Sequence, residues 1–240
     1  MFEANPTIRR LPQAHAVGDT LTFNGVINRT GVLLLTTGIT FALTWKGLQS
    51  GDIPVGAGMV GSILGLILAL VIVFTRATNP ILIGSYAVAQ GLALGTISYF
   101  ANLRYPGIAL QAAAGTIGCF SVVLWLYSVK VLRATPLFVK VITAAMLGIM
   151  LLFIVDLVAS LFGYELGLVR GSSMLAIGIS GAIVLVAALC FVIDFAAIEE
   201  AIEQGAEAKQ GWHFAFTLLL GLIWLYISIL RFLMNLRGRD

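Results

Sequence analysis

Seven apolar runs dominate this sequence and constrain its fold more than any other feature. A transmembrane helix needs about 20 predominantly apolar residues. The expected spans are Gly31–Trp45 (with an extension back into Phe23–Ile27), Val55–Thr75, Pro80–Ala101, Gly107–Val129, Pro136–Phe162, Ser172–Ile198 and Trp212–Met234. Short connections with Gly or Pro separate the runs and favour antiparallel neighbours. The sequence therefore predicts an all-α membrane protein, a seven-transmembrane helix bundle.

Composition supports one membrane domain. Hydrophobic residues make up 60% of the chain and charged residues 10%, against about 45–50% and 25% in soluble domains. We expect residues 1–20 to form a polar N-terminal arm and residues 21–240 a single membrane domain. The arm lacks the apolar core of about 7–15 residues that a cleavable signal peptide needs. The first helix is therefore expected to act as the insertion signal.

Lys and Arg predict the orientation of a multi-pass protein, because cytoplasmic loops carry an excess of them. One side would hold eight: Arg9, Arg10, Arg29, Arg76, Lys130, Arg133, Lys140 and Lys209. The other would hold six: Lys46, Arg104, Arg170, Arg231, Arg237 and Arg239. This favours a cytoplasmic N-terminus. The basic C-terminal tail, however, argues against placing the C-terminus outside the cell. This conflict leaves open that the last segment does not fully cross the membrane.

Metal and nucleic-acid classes find little support. Cys119 and Cys190 both lie in apolar runs, where small packing residues are expected. His15 and His213 are too few for a histidine-built metal site. The net charge of +3 comes without a basic patch interleaved with aromatic residues, so no nucleic-acid partner is expected.

Two acids lie inside the predicted spans, Asp156 in the fifth and Asp194 near the end of the sixth. A charge at a helix centre in hydrocarbon costs about 2.5–3.5 kcal/mol, and less near an end, so such residues are functional candidates. Neither has an obvious Lys or Arg partner in the membrane. A carboxyl that alternates between a dry and a hydrated state can act as a proton or cation switch. The alternative is an acid solvated at the membrane interface.

An acidic stripe follows Asp194. Glu199, Glu203 and Glu207 have i, i+4, i+8 spacing if the helix continues, and Glu200 adds a neighbour to Glu203. Calcium takes oxygen ligands, so the stripe could collect cations, with Asp194 as a calcium ligand. The alternative is an ordinary solvated helix face.

The remaining patterns indicate packing or weak enzyme-like motifs. Gly61-xxx-Gly65 and Gly91-xxx-Gly95 each place two glycines on one helix face, which permits close helix approach. Ser180, in a G-x-S-G string, and His213 resemble a serine protease dyad only weakly. An aspartyl dyad of Asp156 and Asp194 lacks a glycine-rich surround. We therefore expect no enzyme, with an intramembrane protease as the remote alternative.

Several motifs together resemble the bacterial branch of the Bax inhibitor-1-like family, the transmembrane Bax-inhibitor-motif proteins. The string DFAAIEEAIEQGA at residues 194–206 is the strongest match. Others are TFNGVINRTG at 22–31, GLALG at 91–95, YPGIALQ at 105–111, and Trp212 with the last run through Trp224 to Arg231. The likeness covers nearly the whole chain from about residue 17.

The resemblance implies a bundle whose last helix is surrounded by the others, in a bacterial inner (plasma) membrane. It also implies a pH-sensitive calcium leak, with calcium as the transported ion and no cofactor. The family's sensor is a pair of aspartates, and Asp194 matches the first. The second would fall near Leu220. Other family carboxyl positions carry Ser228 and Gln90 here.

A two-aspartate switch is therefore not assumed for this chain. Proton sensing would fall on Asp194 alone, on Asp194 with Asp156, or on the glutamate stripe. The competing hypothesis is a non-transporting regulator that binds other membrane proteins through its glycine-lined faces.

Overall fold

The computed structural model describes residues 19–163 and 173–238, and these form seven long helices. They are α1 (Phe23–Ser50), α2 (Gly56–Thr75), α3 (Pro80–Arg104), α4 (Ile108–Ser128), α5 (Pro136–Leu161), α6 (Met174–Glu203) and α7 (Gly211–Arg237). Each is long and apolar enough to cross a membrane. The predicted all-α, seven-helix membrane fold is confirmed.

Side-chain caps fix where several helices begin. The hydroxyl of Thr22 accepts a hydrogen bond from the Gly25 backbone N–H, at 3.1 Å, so α1 begins at Phe23 as its predicted extension required. Asn79 caps α3 in the same way, and Pro80 fits the first helical turn, where no backbone N–H is needed. Gly51 ends α1 in the left-handed conformation, with φ of 83°.

The last helix lies inside the bundle, as expected. α7 packs against α1, α3, α4 and α6, whereas α2 packs on α3 and α5 on α6 at the periphery. α3 and α7 are the most buried of the seven helices among the described residues. A polar contact joins these two, since the hydroxyls of Ser98 and Tyr226 lie 2.6 Å apart in the core.

α7 is also long enough to cross completely, with 27 residues. Seven crossing helices would place residues 19–22 and residue 238 on opposite sides of the membrane. The possibility that the last segment stops short has no support from its length. Which side faces the cytoplasm stays a prediction.

Glycines join α2 to α3 at very close range. A Cβ atom added at Gly61 would lie 2.8 Å from the Ala89 carbonyl oxygen. One added at Gly65 would lie 2.7 Å from Nε2 of Gln90. Real Cβ atoms do not approach other atoms so closely. Glycine is needed at Gly61, where the obstacle is backbone, whereas at Gly65 the end of the Gln90 side chain would have to move.

A second glycine pair joins α3 to α1. A Cβ at Gly91 would lie 2.7 Å from the Thr37 carbonyl oxygen, and one at Gly95 would lie 2.8 Å from Cβ of Thr44. The Thr37 hydroxyl also donates to the Ala87 carbonyl across this contact, at 3.2 Å. We call α2, α3 and α1 together the three-helix stack.

Candidate functional site

Asp194 lies in α6, nine residues before the helix ends at Glu203. At 1.5 Å of rise per residue, it is roughly 14 Å inside that end. The side chain is half-buried. Its Oδ2 atom would be 3.7 Å from a Cβ atom added at Gly221, so the carboxyl faces the backbone of the central helix α7.

The Asp194 carboxyl has no counter-charge among the residues that the structure describes. Within residues 19–163 and 173–238, no Lys, Arg or His forms an ion pair with it and no group donates a hydrogen bond to it. The thiol of Cys190 lies one helical turn earlier on α6. An acid placed so inside a span must be neutralised by a proton, or solvated by water or a passing cation.

Gly221 permits this close approach of α6 and α7. An added Cβ would lie 2.9 Å from Cε1 of Phe191, a ring that is fully buried. Phe191 in turn packs edge-on against Phe120 of α4, with ring centroids 4.9 Å apart. This aromatic packing opposes movement of Phe191, so a side chain at position 221 would fit only if the ring shifted. We call Asp194, Cys190, Phe191 and Gly221 the acid site.

The expected second carboxyl position is neutral in this chain. Gly221, rather than the neighbouring Leu220, faces Asp194, and Leu220 is 36% exposed. The Ser228 hydroxyl donates to the Trp224 carbonyl at 2.7 Å, so it is satisfied within α7. The sequence of α7 contains no Asp or Glu at all. Asp194 therefore has no carboxyl partner on the central helix.

Asp156 does not join Asp194. Arg231 lies over the ring of Phe153 on α5, 5.0 Å from its centroid, which fixes the level of α5 against α7. Arg231 is ten residues after Gly221, which is about 15 Å along α7. On α5, Asp156 follows Phe153 by three residues, nearly one helical turn farther from the level of Gly221. The two acids are therefore at different depths, and no aspartyl dyad forms.

The acidic stripe is only partly helical. α6 ends at Glu203, and Gly205, with φ of 69°, turns the chain out of the helix. Glu199, Glu200 and Glu203 are exposed at the end of α6, while Glu207 follows the turn. The condition for a stripe that reaches Glu207, one continuous helix, is not met, because the left-handed residue ends the helix first.

Each of three glutamates already has a partner. The Tyr127 hydroxyl of α4 donates to Oε2 of Glu199 at 2.5 Å. The side-chain amide of Gln204 donates to Glu200 at 3.0 Å. Lys209 forms an exposed ion pair with Glu207.

These acids do not converge on a shared metal-binding point. No three His, Cys, Asp or Glu side chains come together as such a group anywhere in the described ranges. The stripe is thus a negative surface rather than a coordination shell. Its calcium role, like that of Asp194, stays a prediction.

The short segment 19–21, before α1, holds the α6–α7 connection. The Leu21 N–H donates to the Ala206 carbonyl and the Ala208 N–H to the Asp19 carbonyl, both at 2.8 Å. Arg29 lies over the Trp212 ring, 5.7 Å from its centroid. We call the acidic stripe of Glu199, Glu200, Glu203 and Glu207 the glutamate surface. It is therefore joined to the start of α1 by these contacts.

Ser180 and His213 are far apart. A Cβ at the neighbouring Gly181 would lie 3.4 Å from the Phe232 ring, near the end of α7. His213 is near the start of α7, where its Nδ1 lies 3.3 Å from the Ala77 carbonyl oxygen. About 28 Å of helix separates these levels, so no serine–histidine dyad forms.

Sequence reasoning missed three residues that shape this site. Gly221 had a signal, since it is an isolated glycine within an apolar helix. Phe191 had none, because one phenylalanine in an apolar run is ordinary. Tyr127 is 72 residues from Glu199, and no local pattern joins the two.

Comparison with known proteins identifies the family. No curated protein matches the chain. A family model described as Bax inhibitor 1 like matches residues 5–238, which is nearly all of it. The matched range includes the acid site, the glycine pairs and all seven helices. The chain therefore belongs to the Bax inhibitor 1 like family.

Proposed function

We propose that this protein is a cation leak pathway whose conductance is set by the charge of Asp194. The observation that carries the proposal is a carboxyl inside a span that has no counter-charge among the described residues and faces the bare backbone of α7 at Gly221. Retaining an unpaired acid in hydrocarbon is costly. A role in attracting or releasing a cation accounts for that cost.

The proposed mechanism is a change in the charge of the Asp194 carboxyl. When Asp194 is ionised, it attracts a cation towards the crossing of α6 and α7. When it is protonated, this attraction is lost, and the balance between conducting and closed states shifts. Cation flux should therefore fall as the pH falls through the range in which Asp194 takes up its proton.

Calcium is the proposed ion, and the acid site would pass it rather than hold it. A tight calcium site uses six to eight oxygen ligands. The acid site offers one carboxylate, and the described residues contain no cluster of three acids. A calcium ion at Asp194 would keep most of its water shell, which suits passage better than storage.

The glutamate surface supplies the cations in this proposal. Glu199 and Glu203 are exposed one to three turns beyond Asp194 at the end of α6. A surface of one charge sign raises the local concentration of counter-ions. Its effect should weaken as ionic strength rises.

We propose a bacterial plasma membrane with the N-terminus in the cytoplasm. Among the described residues, the side that holds the start of α1 carries six basic residues and the opposite side four. The six are Arg29, Arg76, Lys130, Arg133, Lys140 and Lys209, and the four are Lys46, Arg104, Arg231 and Arg237. By the positive-inside rule, the glutamate surface would face the cytoplasm.

The regulator hypothesis loses the glycine-lined faces as a docking surface but keeps the support of the neutral residues Gln90 and Ser228. Gly61, Gly65, Gly91 and Gly95 are all occupied by contacts inside the three-helix stack, so they offer no face to a partner. A regulator would have to use other outward surfaces of the helices instead.

The test is calcium flux into liposomes that hold the purified protein, measured at several pH values for wild type and Asp194→Asn. For the wild type we expect a flux above that of empty liposomes, which decreases as the pH is lowered. For the variant we expect a low flux that does not depend on pH. Folding and insertion are checked by size-exclusion chromatography and protease protection. No flux from inserted, folded wild type would favour the regulator.

A further inference from the structure

A lateral cavity of about 190 Å³ opens between α1 and α4, and nothing in the proposed leak uses it. α6 and α7 form its floor through Phe195, Ile198, Leu218 and Leu222. α4 contributes the wall at Phe120. No charged side chain lines the cavity, because its lining consists of apolar residues, one glycine and Thr30.

The single hydroxyl in this lining is not free. Thr30 donates to the Val26 carbonyl within α1, at 2.9 Å. An apolar cavity of about 150 Å³ stays dry and takes apolar ligands. Water is therefore a poor occupant of this cavity, and hydrocarbon is a good one.

The mouth of the cavity opens on the lipid-facing surface of α1. Ile27 and Leu34 line it and are 47% and 42% exposed. The neighbouring Leu35 is 68% exposed on the same helix, so the mouth is continuous with the surface that the bilayer covers.

The cavity also lies at hydrocarbon depth. Leu218 and Leu222 are seven and eleven residues from the start of α7, about 10–16 Å along it. α7 is about 40 Å long, against a hydrocarbon thickness of about 30 Å. The floor is therefore below the headgroups of the leaflet on the side where α7 begins.

We propose that this cavity is a binding site for one acyl chain of a phospholipid from the surrounding bilayer. The chain enters between α1 and α4 and contacts the floor at Leu218 and Leu222, which are only 4% and 7% exposed. Burial of the chain in a preformed apolar space gains packing contacts that fluid lipid does not supply. The proposal does not depend on ion conduction.

Gly31 makes the site testable. It lines the cavity, and a Cβ added there meets nothing within 4 Å. Gly31→Leu should therefore fill the space without a clash. Gly38→Leu is the matched control, because Gly38 lies on the same helix, outside the lining, and also has open space around it.

The experiment uses the full chain in phosphatidylcholine vesicles that contain a phospholipid with a photoreactive diazirine in its acyl chain. After illumination, labelled residues are mapped by mass spectrometry. Labelling at the exposed Leu35 reports ordinary surface lipid and serves as the internal reference. Labelling at Leu218 and Leu222 reports a chain inside the cavity.

We expect floor labelling in the wild type, a loss of about fivefold or more in Gly31→Leu, and no change in Gly38→Leu, each relative to Leu35. Unlabelled Leu218 and Leu222 in folded wild type would overturn the proposal. Equal floor labelling in the two variants would overturn it as well. A monodisperse chromatographic peak and an unchanged melting temperature verify folding of each variant.

Discussion

The three-helix stack and the α6–α7 pair are both built from apolar residues and glycine, yet glycine does different work in them. In the stack, four glycines bring helices together over two contacts, and the atoms nearest to them belong to Thr, Ala, Gln, Leu and Phe residues. In the α6–α7 pair, one glycine accommodates the Phe191 ring and faces an acid that has no counter-charge in the described chain.

The stack is therefore a tightly packed structural region, whereas the α6–α7 pair borders a cavity and a carboxyl that could take part in function. The lateral cavity and the acid site both border α7 where it faces α6, and α1 is the helix of the stack that also lines the cavity. Interiors are close-packed, and departures from that packing mark places where ligands or motion can enter. We therefore expect substitutions in the stack to change stability most, and substitutions at the acid site to change flux most.

The largest expected effect on stability is at Gly91. Gly91→Ala would press a methyl group against the Thr37 carbonyl oxygen, 2.7 Å away, and backbone cannot move aside cheaply. We expect a loss of about 2–3 kcal/mol, the upper part of the range for overpacking. Thermal unfolding in detergent would measure it.

The matched control for Gly91→Ala is Gly84→Ala, on the same helix with nothing within 4 Å of an added Cβ. Higher helix propensity should leave this variant unchanged or more stable, by up to about 1 kcal/mol. Equal loss in both variants would mean that the stack is not closed by glycine contact.

A smaller loss is expected at Gly221. Gly221→Ala places a methyl group 2.9 Å from the edge of the Phe191 ring, which can shift slightly. We expect about 1–2 kcal/mol, together with altered calcium flux, because the same methyl group is 3.7 Å from Oδ2 of Asp194.

A double-mutant cycle sharpens the Gly221 prediction. Phe191→Leu removes the ring edge, so Gly221→Ala should cost less in that background, with a coupling of about 1 kcal/mol. Additive losses would show that the ring and the glycine do not constrain one another.

The hydrogen bond from Tyr127 to Glu199 should contribute less. Tyr127→Phe removes a 2.5 Å bond that joins α4 to the end of α6. Because Glu199 is exposed, we expect about 1 kcal/mol or less. Tyr99→Phe is the control, since the hydroxyl of Tyr99 makes no hydrogen bond within the described residues. A melting temperature equally lowered in both variants would contradict a specific role for Tyr127.

The smallest expected effect is at the Lys209–Glu207 pair, whose side chains are 65% and 66% exposed. Lys209→Ala should change stability by about 0.5 kcal/mol or less. Equilibrium melting at low and high salt would measure it. A larger, salt-independent loss would indicate that Lys209 supports the α6–α7 connection in another way.

The spans were predictable because hydropathy in each run is a local property. The seven helices lie where the apolar runs placed them, and α1 reaches back to Phe23 as its polar start allowed. The spacing of the glycine pairs predicted that they form helix contacts. It did not predict which residues each glycine contacts. Those depend on which helices meet, which is set by the whole bundle.

The acid site was predictable only in part. Asp194 stood out because an acid in an apolar run is costly. That it faces Gly221 rather than Leu220 depends on the rotation of α7, and one residue turns a helix by about 100°. The break at Gly205 separates Glu207 from the stripe, and a left-handed glycine was not distinguishable from a helical one by spacing alone.

The most direct test of the account compares calcium flux through Asp194→Asn and Asp156→Asn in liposomes at the same pH and protein density. Both substitutions remove one carboxyl from a span, but only Asp194 faces the central helix at Gly221. We expect Asp194→Asn to lower flux and to abolish its pH dependence, and Asp156→Asn to leave both unchanged. Equal flux and equal pH dependence in the two variants and the wild type would contradict it.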